Sequence, residues 1–468
     1  MKCHLPNKTL FLSGIIFLLF LHQSCIVSKK YKTPKNLNSE KLYRFPTDST
    51  DLNNIGNIDW KQFFTDTLLQ NYIQQAIDSN FDIKNAIVQI SIANSYLKQA
   101  KEGNTPQLNL DLQYSTQKFS QKSSTGQYLN YLNQLNSSLM LSWEADIWGK
   151  IRSMKRKEFA KYLETQEAKN TLQTEIISQI AQIYYQLISL HQKVKISEQT
   201  IKNKIKSLKI NEELKISGTQ NLIIVERSKA QLNNSIALKR DLEKQIQIQE
   251  NALCLLLGDY PHSIILGNFN YQQLDSSYAI GIPAQLLSNR PDVKEAEYQL
   301  IQAFEMTNVS RANFYPTFTI SATGGYQSNQ LTNWFSPNST FYNLIGGLAQ
   351  PILNRNTIKE NHRIALAQRK QAENNFRKTL ITAGHEVSNA LYIFQTSSKQ
   401  IETKNKELES YQKISRITEN LFDSGLVNAI EILNAEENAL NTELEIVNQY
   451  YTKMSSLITL YKSLGGGQ

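Results

Sequence analysis

Three cysteines, four tryptophans, five methionines, six histidines and ten prolines are few for 468 residues, and each scarcity narrows what the chain can do. Cys3 lies in an N-terminal leader, Cys25 ends that leader, and Cys254 is left without a partner for a disulfide. In the run Leu253-Cys254-Leu255-Leu256-Leu257 it reads as a small core residue, not as a nucleophile. The histidines and methionines are dispersed, so no metal-ligand cluster is present in the sequence. A Ser/His/Asp pattern, a glycine-rich phosphate loop and paired carboxylates are missing too, and neither catalysis nor a cofactor is expected. The formal charge of +9 is a mild excess, scattered beside Glu and Gln with no basic block interleaved with aromatics, which argues against nucleic acid as a partner.

One apolar run is prominent, Leu10 to Leu21, preceded by Lys2 and Lys8 and followed by Ser24 and Cys25. This is the form of a secretory signal. At about twelve residues the run is too short to cross a bilayer core of roughly 30 Å as a helix. The junction Leu21-His22-Gln23-Ser24-Cys25 resembles a lipobox, although His22 and Gln23 replace the usual small apolar residues. Residues 1–24 are therefore expected to be removed and Cys25 to carry the lipid.

The rest of the chain is a duplication. Leu214-Lys215-Ile216-Ser217-Gly218 and Leu421-Phe422-Asp423-Ser424-Gly425 are 207 residues apart, as are Leu257-Gly258 and Leu464-Gly465. Nearer the start of each half the offset becomes 210, pairing Pro106 with Pro316 and Ala93 with Ala303. The three-residue change falls in polar segments 117–135 and 329–340, which hold Gly126 and Pro337 and read as loops. Each half has the order helix, two strands, two helices. Apolar and polar residues alternate through Leu108-Asn109-Leu110-Asp111-Leu112-Gln113-Tyr114-Ser115 and through Phe318-Thr319-Ile320-Ser321-Ala322-Thr323. After a secretory signal, such alternation predicts transmembrane strands with apolar residues toward lipid and polar ones, Asn109 and Asp111 among them, toward a lumen. The strands are expected at Pro106 to Gln117, Gln134 to Asp146, Pro316 to Gln327 and Phe341 to Leu353.

Between Trp148 and Leu214 no proline occurs and no glycine after Gly149, which predicts one helix on the order of 100 Å long. Ile176, Ile180, Ile183, Leu187, Leu190, Val194, Ser197, Ile201, Lys204 and Leu208 follow the 4,3 spacing of a coiled-coil seam. A counterpart runs from Asn356 to Phe422, so each half ends in a helical hairpin turning at Gly218 or Gly425, where glycine accepts positive φ. In Arg290-Pro291-Asp292 the proline suits a first helical turn, and Asp292 with Glu295 favours the positive helix end, so the triplet reads as helix initiation. Four strands cannot close a membrane barrel, because the smallest single-chain examples use about eight. Several copies must share one barrel, of eight, twelve or sixteen strands.

Together these segments resemble the TolC and OprM family of outer-membrane factors, in its lipoprotein (NodT-type) branch serving RND efflux systems. The resemblance rests on Cys25-Ile26-Val27 with Tyr31-Lys32-Thr33-Pro34, on Ser142-Trp143-Glu144-Ala145-Asp146-Ile147-Trp148-Gly149-Lys150, and on Leu286-Leu287-Ser288-Asn289-Arg290-Pro291-Asp292-Val293. Ala312-Asn313-Phe314-Tyr315-Pro316, Ser424-Gly425-Leu426-Val427 and Leu460-Tyr461-Lys462-Ser463-Leu464-Gly465-Gly466-Gly467 complete it, while Asn354-Arg355-Asn356 departs from a turn that is often glycine-rich. The resemblance implies a mainly α chain that contributes to a transmembrane β-barrel, a homotrimer with a twelve-strand barrel on a twelve-helix tunnel, and location in the cell outer membrane with extension into the periplasm. It divides the chain into a signal peptide 1–24, a lipid-anchored segment 25–60, repeats 61–258 and 284–468, and a linker 259–283. An equatorial belt would take residues 25–60, 259–285 and part of 395–415.

The implied function is a passive exit duct for drugs or other small solutes. Its partners would be outer-membrane lipid, a periplasmic adaptor protein and an inner-membrane RND transporter. Export of proteins by a type I system and a non-pore, lipid-anchored coiled-coil scaffold are the alternatives. By the same likeness the pore gate falls at Glu431 and Asn434, with Ile224 at the first-half position where relatives often carry an acid. Adaptor docking falls at the tips, Gly218 and Thr219, Gly425 and Leu426.

Overall fold

The computed structural model describes residues 27–34, 42, 58–125, 127–128, 131–267, 289–424 and 426–467. The signal peptide, Cys25, Gly425 and most of the expected belt segments lie outside the described residues. The chain divides into two compact units. One takes in the described parts of Met1–Lys35, Ser91–Glu164 and Glu297–Asn375; the other those of Asn36–Ile90, Thr165–Ala296 and Phe376–Gln468.

The first unit holds an antiparallel four-stranded sheet of order β1-β2-β3-β4, formed by Gln107–Lys118, Tyr131–Ala145, Thr317–Ser328 and Thr340–Ala349. Its register places Leu110 opposite Leu139, Leu139 opposite Gly324, and Gly324 opposite Tyr342. Because side chains alternate between faces, Leu108, Leu110, Leu112, Leu139, Leu141, Trp143, Phe318, Ile320, Leu344 and Leu348 share one face. The other face carries Asn109, Asp111, Gln113, Asn136, Ser138, Ser321, Thr323 and Asn343. Leu108, Leu110 and Leu112 are each more than 60% exposed within the protomer, so nothing in the chain itself covers the apolar face there. At Gly325 a Cβ would lie 1.9 Å from the carbonyl oxygen of Ser137, so only glycine permits that approach of β3 to β2.

Three strands lie within three residues of their expected bounds. The fourth does not: it was expected to reach Leu353 and stops at Ala349. Pro351 lacks the N–H that would continue the ladder. Arg355 and Asn356 then take left-handed φ of 56° and 63°, the conformation that glycine would adopt without steric penalty.

The sheet is joined to helices by a built corner. Asp146 accepts from the backbone N–H groups of Ile151 and Arg152 at 2.9 Å each, and Trp148 Nε1 donates to the Pro316 carbonyl at 2.8 Å while its ring stacks on Tyr315. The helices are α1 (Trp60–Phe63), α2 (Thr67–Ser79), α3 (Phe81–Glu102), α4 (Lys150–Ile216), α5 (Leu222–Leu257), α6 (Pro291–Ala312), α7 (Thr357–Asp423) and α8 (Ala429–Ser463). α4 and α7 are each 67 residues long, about 100 Å at 1.5 Å per residue. None of the ten seam residues from Ile176 to Leu208 is exposed. Cys254 is buried with 1% exposure, as a core residue should be.

Alongside α6 runs an extended strap, Val27–Pro34, pinned by Lys29 N–H to Asn308 Oδ1 (3.1 Å), Asn308 Nδ2 to the Lys29 carbonyl (3.0 Å), Arg311 to the Val27 carbonyl (3.2 Å) and Thr33 Oγ1 to Glu297 (2.9 Å). The chain that follows Cys25 is thereby fixed against the helix that leads into β3.

Candidate gate at the hairpin tips

The two hairpin tips are built alike because the duplication reaches into their caps. In the first, the N–H groups of Thr219 and Gln220 both donate to the Leu214 carbonyl, at 2.9 and 3.1 Å, and Gly218 closes the turn with φ of 76° and open space around it. Asn221 then caps α5, its Oδ1 accepting from Ile224 N–H at 3.2 Å. In the second tip Leu426 N–H donates to the Leu421 carbonyl at 2.9 Å, and Asn428, 207 positions after Asn221, caps α8 through Ile430 N–H at 3.3 Å. Apolar side chains crowd these ends without cover. Ile216 is 87% exposed, Ile223 71% and Leu426 71%.

Glu431 stands in the first turn of α8 with Asn434 one turn further on, and both are exposed. A carboxylate there is also favoured by the positive end of the helix. Ile224, at the equivalent position of the first half, is 1% exposed, so the repeats differ there: a buried apolar side chain in the first and an exposed carboxylate in the second.

Behind the tips lies a charged group that sequence reading overlooked. Lys204, 4% exposed, reaches from α4 to Glu437 on α8 at 2.9 Å and ties the first hairpin to the second. Glu436 beside it is held above the usual carboxylate range by burial; Lys204 opposes that rise, and Glu419 on α7 and Glu437 add to it. The signal was present: Lys204 is the one charged residue among the ten of a mostly apolar seam, and a buried ammonium requires a carboxylate. Further along the coil Lys239 on α5 pairs with Glu198 on α4, and Lys404 on α7 with Glu445 on α8. These outer pairs are solvated and contribute little. Among the described residues no group of three potential metal ligands occurs.

The profile of the family described as outer membrane efflux protein matches residues 72–259 and 282–466, both repeats. The chain is a member of the outer membrane efflux protein family. Relatives of this efflux protein include the probable outer membrane lipoprotein SilC of Salmonella typhimurium, 27% identical over 423 residues that cover 89% of each chain. The toluene efflux pump outer membrane protein TtgI of Pseudomonas putida is 25% identical over 412 residues, 87% of each. Among solved structures, that of CusC, described with its folding and transmembrane channel formation, superposes with a TM-score of 0.84 at 25% identity, covering 94% of this chain and 99% of the other. The efflux protein therefore has the TolC-like fold that its repeats and motifs indicated, and it belongs to the outer membrane.

Proposed function

We propose that this protein is the exit duct of a tripartite efflux system, in which three copies share a twelve-stranded barrel on a twelve-helix tunnel. A periplasmic adaptor and an inner-membrane transporter of the RND class complete the system, and lipid on Cys25 anchors the duct. The observation that carries the reading is the sheet itself: one face apolar, one polar, and its outer strands β1 and β4 each paired on one side only among the described residues. Open edges do not persist in hydrocarbon, where unpaired N–H and C=O groups find no water, so the edges require further copies. A scaffold without a pore would have no use for a two-faced sheet. The toluene in the name of the Pseudomonas putida relative supports small solutes as cargo, with selectivity residing mainly in the transporter.

In this reading the tunnel closes where the hairpins converge, with Glu431 and Asn434 facing the passage and Ile224 holding the helix behind them. Adaptor hairpins would engage Gly218 and Thr219, Gly425 and Leu426, where the exposed Ile216, Leu222 and Ile223 await apolar cover. The Lys204–Glu437 pair obliges the two hairpins to move together. The division into leader 1–24, anchor segment 25–60, linker 259–283 and two repeats belongs to the same proposal.

Native mass spectrometry of the detergent-extracted protein is expected to give a trimer whose chains begin at Cys25 and carry two or three acyl chains, since one chain alone holds a membrane only marginally. The trimer should conduct in planar bilayers. A stable monomer, or a trimer without conductance, would refute the duct. Glu431→Gln should lower the cation preference of the closed-tip conductance with the trimer intact; an unchanged preference removes Glu431 from the gate and leaves the duct standing.

A further inference from the structure

The four strands hold only three acidic or basic side chains: Asp111, Lys118 and Glu144. Two of them are accounted for. Lys118, the last residue of β1, lies over the ring of Tyr131, 5.5 Å from its centroid. Glu144 is bound by Lys150 at 3.0 Å, at the corner where β2 gives way to α4. Asp111 has no hydrogen bond or ion pair among the described residues. The register sets it opposite Ser138, on the face it shares with Asn109, Gln113, Asn136 and Met140, all of them uncharged. Its neighbours on the other face of β1, Leu110 and Leu112, belong to the apolar series.

A carboxylate cannot turn toward hydrocarbon without a desolvation penalty far above anything the site could return. The water that Asp111 requires is therefore water on the polar face. Neither Lys nor Arg shares that face within the four strands, so its field there is uncompensated. We infer that Asp111 sets the charge selectivity of the barrel segment, so that cationic and neutral solutes pass more readily than anions. This inference rests on the reading of a shared barrel, which repeats Asp111 as a ring of three around one lumen. Low-dielectric walls concentrate the field of such a ring along the passage, and no Lys or Arg on that face of the four strands offsets it. Asp111 belongs to β1 and Glu431 to the first turn of α8, so each can be substituted with the other left in place.

Salt decides how the effect is measured. The screening length is about 10 Å at 0.1 M and about 30 Å at 0.01 M, so the preference should grow as salt is diluted. The full-length lipidated trimer is reconstituted in planar bilayers under a potassium chloride gradient, in the Glu431→Gln background so that the Glu431 carboxylate does not contribute. Asp111→Asn is expected to lower the potassium-to-chloride permeability ratio about fivefold at 0.01 M, and Asp111→Lys to invert the preference. Asp111→Cys supplies a charge rescue, because Cys254 is buried and the lumen position is open to reagent. Its preference should be lost as made and restored by a thiol reagent bearing a sulfonate, but not by one bearing an ammonium. Conductance with a permeability ratio unchanged by Asp111→Asn, or a Cys variant indifferent to the sign of its modification, overturns the assignment and leaves the duct intact. Absence of conductance from the unsubstituted protein would instead defeat the duct reading itself.

Discussion

Leu112→Arg is expected to keep the protein out of the membrane, while Gln113→Arg, one residue further on, inserts and assembles. Leu112 lies at the middle of β1, is 63% exposed in the protomer and sits on the apolar face opposite Ser137. An arginine on the lipid face near the bilayer midplane costs roughly 2–4 kcal/mol, and a shared barrel repeats that cost in every copy. Gln113 points to the opposite face, where an arginine keeps its water and changes only the charge of the lumen. The measurement is the fraction of each variant recovered as trimer from outer-membrane fractions, with conductance for the lumen variant. Equal recovery of the two would show that the faces have been assigned the wrong way, or that the sheet does not meet lipid.

That contrast depends on a feature readable in the sequence, because a period of two is a local property of the chain. The same holds for the hairpin turns, where Gly218 and the repeated asparagine caps are separated from their counterparts by a constant interval. Features decided by residues distant in sequence were harder to read. The end of β4 is a separate case, set by Pro351, a local cue that the expected strand overran. Lys204 was visible as an exception in its seam, but its partner Glu437 is 233 residues away. Ile224 and Glu431 occupy equivalent positions in the two repeats, yet one is buried and the other exposed. Duplication conserves the backbone path; the side chains at equivalent sites then follow the different neighbours that each hairpin has acquired.

The Arg290-Pro291-Asp292 triplet shows the same division, and it yields the second large effect. Its reading as a helix start holds: α6 begins at Pro291, with Asp292 in the first turn. What local reasoning did not find is the guanidinium. Arg290 is 5% exposed, and its Nε and Nη2 donate to the two oxygens of Asp292 at 2.9 and 2.6 Å. Nη1 reaches Glu386 on α7 at 2.8 Å and the Ser463 carbonyl at the end of α8 at 2.9 Å. One side chain thus joins three helices that are far apart in sequence. Burial pulls its pKa down, but the two carboxylates outweigh burial and leave it raised, so the charge is kept. Arg290→Met fills much of the volume while stranding both carboxylates and the carbonyl. Removing one partner of a fully buried pair costs about 3–5 kcal/mol. Asp292 and Glu386 retain 30% and 40% side-chain exposure, so about 2–3 kcal/mol per chain is the expected loss. Arg290→Lys should fall between, since an ammonium keeps the charge and lacks the planar fork that meets Asp292 with two parallel bonds. Thermal dissociation of the trimer, followed on gels or by tryptophan fluorescence, ranks the three proteins. If Arg290→Met melts with the unsubstituted protein, the guanidinium is not what holds α6, α7 and α8 together, and packing alone carries that junction.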